Sequence, residues 1–116
     1  MICVFTVLGP PKGKERPRFN PRTKRAITPK ATRDYEATIA NMASLHLSRD
    51  WPKDRRYRLH VAFTGRRCDP DNVLKAVADG LEGVAYDNDR QVDECVSVRL
   101  TEQKPPRTEI RIEVLP

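Results

Sequence analysis

Alternation of apolar and polar residues predicts strands in several parts of the chain. Tyr57–Phe63 places a large apolar residue at every second position, which is the period of a strand with one buried face. The same period recurs in residues 91–101 and 109–114, and the turn residues Lys104, Pro105 and Pro106 between them predict a β-hairpin. The stretch Ile2–Leu8 is apolar at nearly every position, which is typical of a central strand covered on both faces.

Two segments carry apolar residues at the spacing of a helix. Thr28 and Pro29 suit the N-cap and first position of a helix that runs to about residue 48. A second helix is predicted from Asn72 to about Gly83, because Gly80 and Gly83 each weaken a helix by about 1 kcal/mol relative to Ala. Its expected buried face carries Leu74, Val77, Ala78 and Leu81.

The predicted order is therefore strand, helix, strand, helix, strand, strand. The simplest fold with this order is α+β, with one mixed sheet packed against two helices. A chain of 116 residues, 38% of them hydrophobic, has material for one core, so residues 1–116 are expected to form a single domain.

Composition narrows the class of protein further. No apolar run approaches the roughly 20 residues that span a bilayer, and the start lacks the pattern of a signal peptide, so a cytoplasmic protein without a membrane partner is expected. Cys3, Cys68 and Cys95 are odd in number and lack metal-site spacing, which argues against disulfides and a zinc site.

Positive charge is concentrated in one region. The net charge is +6, and nine of the 22 Lys and Arg residues lie between Lys12 and Arg33, opposed there by the single acid Glu15. Because Pro and Gly punctuate residues 12–30, this segment is expected to be a long irregular loop. It is interpreted as a phosphate-binding loop, with a solvated arm as the alternative. The expected DNA-binding residues, with Arg66 and Arg67 beside the acids discussed next, are Lys12, Lys14, Arg16, Arg18, Arg22, Lys24, Arg25, Arg66 and Arg67.

The candidate chemistry begins at Asp69 and Asp71, just before the second predicted helix. A turn there can direct both carboxylates at one point, and hard cations such as Mg²⁺ prefer such oxygen ligands. The helix then presents Asn72, Lys75 and Asp79 on its polar face. A purely structural alternative is that the two acids cap the helix while Lys75 pairs with Asp79 four residues on.

A family resemblance enters at these residues. The segment D-P-D-N-V-L-K-A-V-A-D-G-L at residues 69–81, followed by Y-D-N-D-R-Q-V at 86–92, resembles the RusA family of Holliday junction resolvases, small phage- and prophage-associated endonucleases. The stretch P-P-K-G-K-E-R-P-R-F at 10–19, Ile27-Thr28-Pro29 and Tyr35-Glu36 are also similar to it, so the resemblance spans nearly the whole chain.

The resemblance implies catalytic, metal-binding carboxylates at Asp69, Asp71 and Asp89, with a catalytic Lys75. The first Asp of the family's D-D pair is Asn88 here and an extra acid stands at Asp87, and the spacing to Gln91 favours Asp89 over Asp87. Mg²⁺, replaceable by Mn²⁺, is the expected cofactor. The expected supporting residues around the metal are Asn72, Asp79, Asp87 and Gln91.

The predicted function is metal-dependent resolution of Holliday junctions by paired phosphodiester hydrolysis in DNA recombination and repair. Because a four-way junction is nearly two-fold symmetric, a homodimer is expected, associated with the nucleoid when it acts on DNA. Two alternatives remain: a module that binds structured nucleic acid without cutting it, and a nuclease with a broader range of branched or flap substrates.

Overall fold

The computed structural model describes residues 1–14, 18–20, 22, 25–27 and 29–116, with the side chains of 18–20 and 25–27 outside the described part. In the described part of the chain, two helices and four strands follow each other in the expected α+β order, and two further short strands form a small hairpin. The elements are β1 (Ile2–Leu8), β2 (Arg18–Asn20), β3 (Arg25–Ile27), α1 (Lys30–His46), β4 (Tyr57–Phe63), α2 (Pro70–Leu81), β5 (Val92–Arg99) and β6 (Arg107–Val114).

The main sheet has the strand order β1-β6-β4-β5. Strand β6 pairs antiparallel with β1 and with β4, whereas β4 and β5 are parallel and α2 forms the crossover between them. The predicted hairpin of β5 with β6 is therefore wrong, because β4 lies between the two strands. The loop after β5 carries the chain across β4 instead of turning back beside β5.

Both helices cover one face of this sheet, and the core lies between them. The inner face presents Tyr57, Leu59, Val61 and Phe63 of β4, as the alternation predicted. The opposite face is open, with Val96 and Val98 of β5 43% and 48% exposed. Strand β1 is consequently an edge strand with an alternating burial pattern, and the prediction that it is central and covered on both faces is wrong.

Helix α2 packs against α1 as well as against the sheet. Val77 and Leu81 are buried as predicted, but Val73, Ala76 and Gly80 are buried with them, and Leu74 and Ala78 are only half-buried. A Cβ atom at Gly80 would lie 2.9 Å from the carbonyl oxygen of Glu36 and 3.2 Å from Cβ of Ile39. Gly80 thus allows close approach of the two helices, and the prediction that it mainly weakens α2 misses this contact.

The segment 12–30 is not one irregular loop, because strands β2 and β3 pair antiparallel with Phe19 opposite Ala26. Helix α1 begins at Lys30 with Pro29 as its N-cap, and the predicted N-cap Thr28 lies outside the described residues. Among the residues that were described, no helix combines the length and apolarity required to cross a membrane.

Candidate active site

Asp69 and Asp71 flank the proline that starts α2. Pro70 occupies the first turn, where its missing N–H group costs no hydrogen bond. Asp69 is the N-cap residue, yet its side chain makes no capping hydrogen bond; one carboxylate oxygen instead accepts from Nδ2 of Asn72 at 3.3 Å. Asp71 is exposed and makes no hydrogen bond or ion pair with any described residue. The capping alternative is therefore wrong for these carboxylates, which remain available for a ligand.

The loop before Asp69 is held by β5. The guanidinium group of Arg99 donates to the carbonyl oxygens of Gly65 at 3.1 Å and Cys68 at 2.6 Å, and it lies 5.9 Å from the ring centre of Phe63. Ser97 Oγ donates to the carbonyl oxygen of Pro70 at 2.7 Å. These contacts fix where the chain enters α2, and therefore where Asp69 and Asp71 lie.

The polar face of α2 is formed as predicted by Asn72, Lys75 and Asp79. Lys75 Nζ lies 3.5 Å from Oδ1 of Asp79, so this part of the purely structural alternative, a pair four residues apart, is present. The same ammonium group lies 3.9 Å from Oδ2 of Asp89. Lys75 is thus placed between an acid of its own helix and an acid of the following loop, with 58% of its side chain exposed.

Gln91 fastens the loop that carries Asp89. Its Oε1 accepts from the backbone N–H groups of Asp87 at 3.0 Å and Asn88 at 2.8 Å. Its Nε2 donates to the carbonyl oxygens of Lys53 and Arg55, both at 2.8 Å. Gln91 therefore acts on the backbone of the loop, and its predicted support of a metal ligand stays a prediction.

Asn88 completes this loop at a position where the resemblance described above implies an acid. Its side chain accepts from the backbone N–H of Arg90 at 2.9 Å and caps the single 3₁₀ turn Asp89–Gln91. Glu82 Oε1 accepts from the backbone N–H of Asp89 at 3.2 Å. The side chain of Asn88 thus caps the turn, and the neighbouring Asp89 faces α2.

Asp89 and Asp87 face different surroundings. Asp89 lines a groove of about 240 Å³ between α2 and β5, together with Asp71, Lys75, Leu74 and Cys95 among others. Asp87 is exposed and does not line that groove; its backbone N–H donates to the carbonyl oxygen of Lys53 at 3.3 Å. The geometry favours Asp89 over Asp87 as the partner of Asp71.

Asp69 opens on a neighbouring cleft of about 650 Å³, which is also lined by Lys12, Lys14, Arg67 and Asn72. The three predicted metal ligands are consequently divided between two adjacent surfaces. Over residues 1–14 and 29–116, together with the few described between them, no group of three or more His, Cys, Asp or Glu side chains is arranged to hold a metal ion. The donor chemistry of Asp71 and Asp89 still fits Mg²⁺, which is commonly bound through one or two carboxylates, with waters and substrate phosphates completing the shell.

Tyr86 is a neighbour of the site that the sequence did not single out. Its hydroxyl donates to the carbonyl oxygen of Ala78 at 2.6 Å. Burial raises the pKa of this phenol, and the nearby acids Asp89, Glu82 and Asp79 raise it further. Tyr86 therefore stays neutral at physiological pH and supports α2 without exchanging protons.

The arrangement of acids, lysine and basic cleft is accompanied by a direct match in sequence. A family model for the endodeoxyribonuclease RusA matches residues 9–113, which includes both candidate surfaces. The chain belongs to the RusA family of endodeoxyribonucleases. A comparison with curated proteins finds no match.

Because RusA-family proteins are endodeoxyribonucleases, the positions of the predicted DNA-binding residues matter for function. Lys12, Arg66 and Arg67 are exposed and form no ion pair with a described residue, whereas Lys14 is paired with two carboxylates. Arg22 lies in an exposed turn. Arg16 and Lys24 lie outside the described residues, as do the side chains of Arg18 and Arg25, so their predicted contacts with DNA remain predictions.

Arg99 and Glu36 are residues of this RusA-family chain whose contacts sequence reasoning did not predict. Arg99 alternates with Val98 on β5, and its position on the helix side becomes clear only when β5 is known to be the edge strand parallel to β4. Glu36 lies in the second turn of α1, and nothing local in the sequence pairs it with Lys14. Both depend on contacts between distant segments, which periodicity does not encode.

Proposed function

We propose that this chain is a metal-dependent endonuclease that resolves Holliday junctions by symmetric hydrolysis of two phosphodiester bonds. The observation that carries the proposal is that Asp71 and Asp89, from separate segments, line one groove with Lys75. Neither carboxylate caps the helix or forms a close ion pair with a described residue; the nearest cation to Asp89 in the described part of the chain is Lys75 at 3.9 Å. Family membership supports an endodeoxyribonuclease activity.

Asp71 and Asp89 are the proposed metal ligands in the groove, and Asp69 joins them from the adjoining cleft. A bound Mg²⁺ supplies an activated water and neutralises charge on the phosphate as the bond breaks. Asn72 holds Asp69 through its amide, and Asp79 holds Lys75. Each of these contacts orients a charged group before DNA arrives.

Lys75 is the proposed partner of the scissile phosphate. Its ammonium group is largely exposed and lies within reach of the groove, so it can donate to a phosphate oxygen or orient the attacking water. Electrostatic stabilisation of this kind is effective because the donor is already in place when charge develops. Asp79 restrains the long lysine side chain and reduces the conformational freedom lost on binding.

The cleft beside Asp69 is the proposed route of the DNA backbone. Lys12 and Arg67 border it with exposed positive charge, and Arg66 is adjacent. Arginine suits this task because its planar guanidinium group can donate two hydrogen bonds to one phosphate. In the proposal the basic residues of 16–25 also contact DNA phosphates.

A homodimer is part of the proposal, because two symmetric cuts need two active sites and the described chain contains one groove of this kind. Sedimentation of the protein with a four-way junction tests it. A complex containing two chains per junction is expected, and a complex with one chain that still makes both cuts would contradict it.

The test of function is a substrate panel. Labelled four-way junctions, replication forks, flaps and linear duplexes are incubated with the protein and Mg²⁺, Mn²⁺ or a chelator. The proposal predicts paired symmetric cuts in the junction only when a metal is present, with slower cutting of the other substrates. Preferential cutting of flaps would support the broader nuclease, and junction binding without cutting under any metal would support the non-catalytic module.

A further inference from the structure

Lys14 connects the basic segment to the helix that carries the candidate chemistry. Its backbone N–H donates to the carbonyl oxygen of Asn72 at 2.9 Å. At the preceding residue, a Cβ atom on Gly13 would come within 3.2 Å of Cβ of Asn72, so the backbone lies directly on the first turn of α2. The start of the basic segment, which we define as residues 12–30, therefore packs against α2 at a defined position.

The Lys14 side chain is directed into the protein. Its ammonium group lies 2.6 Å from Oε1 of Glu36 on α1 and 3.0 Å from Oδ2 of Asp79 on α2, and the three side chains are only 20% exposed. Burial lowers the pKa of Lys14, but hydrogen bonds and charge interactions with Glu36 and Asp79 outweigh this, so the net shift is upward. Lys14 is thus a firmly charged cross-link between the two helices.

Asp79 divides its two carboxylate oxygens between two lysines. Oδ2 contacts Lys14 at 3.0 Å and Oδ1 contacts Lys75 at 3.5 Å. Lys75 in turn lies 3.9 Å from Asp89. A continuous series of charges therefore runs from Glu36 through Lys14, Asp79 and Lys75 to Asp89.

This series sets how strongly Asp79 holds Lys75. The half-buried Lys14 neutralises much of the Asp79 charge at a shorter distance than Lys75 does, and interaction energy falls with distance. Without Lys14, Asp79 would be left with Lys75 as its only described cationic partner, and both oxygens could turn towards it. The Lys75 ammonium would then be withdrawn from Asp89 and from a phosphate in the groove.

We propose that Lys14 and Glu36 are positioning residues of the nuclease: by engaging Asp79 they keep Lys75 available to the groove, and Lys14 does not serve as a phosphate contact. The inference rests on the proposed function for its catalytic consequence. It reassigns Lys14 from the DNA-binding set predicted by the sequence and gives Glu36 a role.

The experiment compares Lys14→Met, Lys14→Arg and Glu36→Gln with the parent protein. Junction affinity is measured in Ca²⁺, and the cleavage rate is measured in Mg²⁺ at saturating enzyme in a single turnover. Lys14→Met is expected to lower the saturated rate about 10- to 100-fold, a typical effect of a misplaced catalytic group, with affinity and its salt dependence nearly unchanged. Lys14→Arg should restore most of the rate, and Glu36→Gln should show a smaller loss of the same kind.

The matched control is Lys104→Met, the same exchange at an exposed residue outside the basic segment 12–30 that forms no ion pair with a described residue. Its saturated rate should equal that of the parent. In an Asp79→Asn background Lys14→Met should cause no further loss, because the two side chains act through one contact. Weaker binding and a flatter salt dependence for Lys14→Met, with its saturated rate intact, would overturn the inference and make Lys14 a phosphate contact.

A second readout does not require nuclease activity. The rate at which an amine-reactive reagent modifies Lys75 is followed by mass spectrometry in the folded parent and in Lys14→Met, with circular dichroism to verify folding. Slower modification of Lys75 in the variant is expected, because Asp79 then holds it more closely. An unchanged rate would refute the positioning role whether or not the parent cuts DNA, and a parent inactive on every substrate would refute the proposed function separately.

Discussion

Asp87 and Asp89 are two positions apart, yet they face different parts of the molecule. Asp89 shares a groove with Asp71 and Lys75, whereas Asp87 lies outside it. Spacing to Gln91 favoured Asp89 by resemblance alone, and the structure adds a physical reason: Gln91 and Asn88 hold the loop so that Asp89 faces α2. The two acids therefore form a natural matched pair for mutation.

Asp89→Asn is expected to reduce junction cleavage in Mg²⁺ by about 100-fold or more, because an amide replaces a charged ligand without changing its size. Asp87→Asn, the matched control, should retain cleavage within a few-fold of the parent. Single-turnover assays on the same junction measure both. A severe loss for Asp87→Asn with little change for Asp89→Asn would reverse the assignment of the two acids.

At the scale of single residues, the sequence could identify the chemical groups but not all their partners. Asp69, Asp71 and Lys75 stand within one short stretch, where the helix nearly fixes the local geometry, and the family resemblance implies their roles. The pairing of Lys14 with Glu36 and Asp79 joins three segments, and no local pattern specifies it. Arg99 was missed for the same reason, since its acceptors lie on the loop after another strand.

Among the elements, α2 carries most of the proposed chemistry and is buried over a wider arc than its apolar residues suggested. Its contact with α1 depends on Gly80, which has no side chain to separate the helices. The sequence-based prediction considered only the low helix propensity of this glycine, which is a local property. In the structure, the close packing of α1 against Gly80 matters more at this position than the helix propensity of glycine.

Gly80→Ala is expected to lower the free energy of unfolding by about 1 to 2 kcal/mol, because overpacking against the Glu36 backbone outweighs the gain of about 1 kcal/mol in helix propensity. Urea unfolding measures the change. The control Asn41→Ala, on the exposed side of α1, should be neutral or slightly stabilising. Stabilisation by Gly80→Ala would contradict the close packing of the two helices.

A prediction concerns the loop between β4 and α2, because Arg67 borders the proposed path of DNA and Arg66 precedes it in the chain. Replacing both by Gln should flatten the log–log dependence of junction affinity on salt by up to about 1.8, since each neutralised phosphate contributes about 0.9. The control replaces Arg49 and Lys53, which line a different surface near Gly83 and should leave the slope unchanged. An unchanged slope for the Arg66 and Arg67 variant would exclude them as phosphate contacts.

For the whole molecule, the sequence predicted the order of elements and the α+β class, because buried strands and helices have distinct periods. It did not predict the pairing of strands. The turn at Lys104-Pro105-Pro106 suggested a hairpin, but β6 inserts between β1 and β4. Strand order depends on which distant surfaces are buried together, and the apolar pattern of one strand does not show this. Val96 and Val98 of β5 are apolar, for example, yet they are exposed on the outer face of the sheet.

All three tyrosines of the chain have raised pKa values, which gives the fold a dependence on alkaline pH. Burial raises the pKa of Tyr35 to about 12, and burial also raises the pKa values of Tyr57 and Tyr86. The folded state thus binds these protons more tightly than the unfolded state, where the ordinary value is 10.0. Their contribution to stability is complete below that pH and decreases as the pH rises above it.

The free energy of unfolding is therefore expected to fall between about pH 10 and pH 12, with tyrosinate absorbance appearing together with unfolding. Urea titrations at a series of pH values, with absorbance and circular dichroism recorded in parallel, measure both. Tyrosinate formation near the ordinary pH in a protein that remains folded would contradict the burial of these phenols.

The most direct test of the central claim is single-turnover cleavage of a labelled four-way junction by the parent and by Asp71→Asn, in Mg²⁺ and in a chelator. The account predicts two symmetric cuts by the parent in Mg²⁺, none in the chelator, and none by Asp71→Asn, which should bind the junction as tightly as the parent does. Undiminished cutting by Asp71→Asn, or equal cutting by the parent with and without the metal, would contradict it.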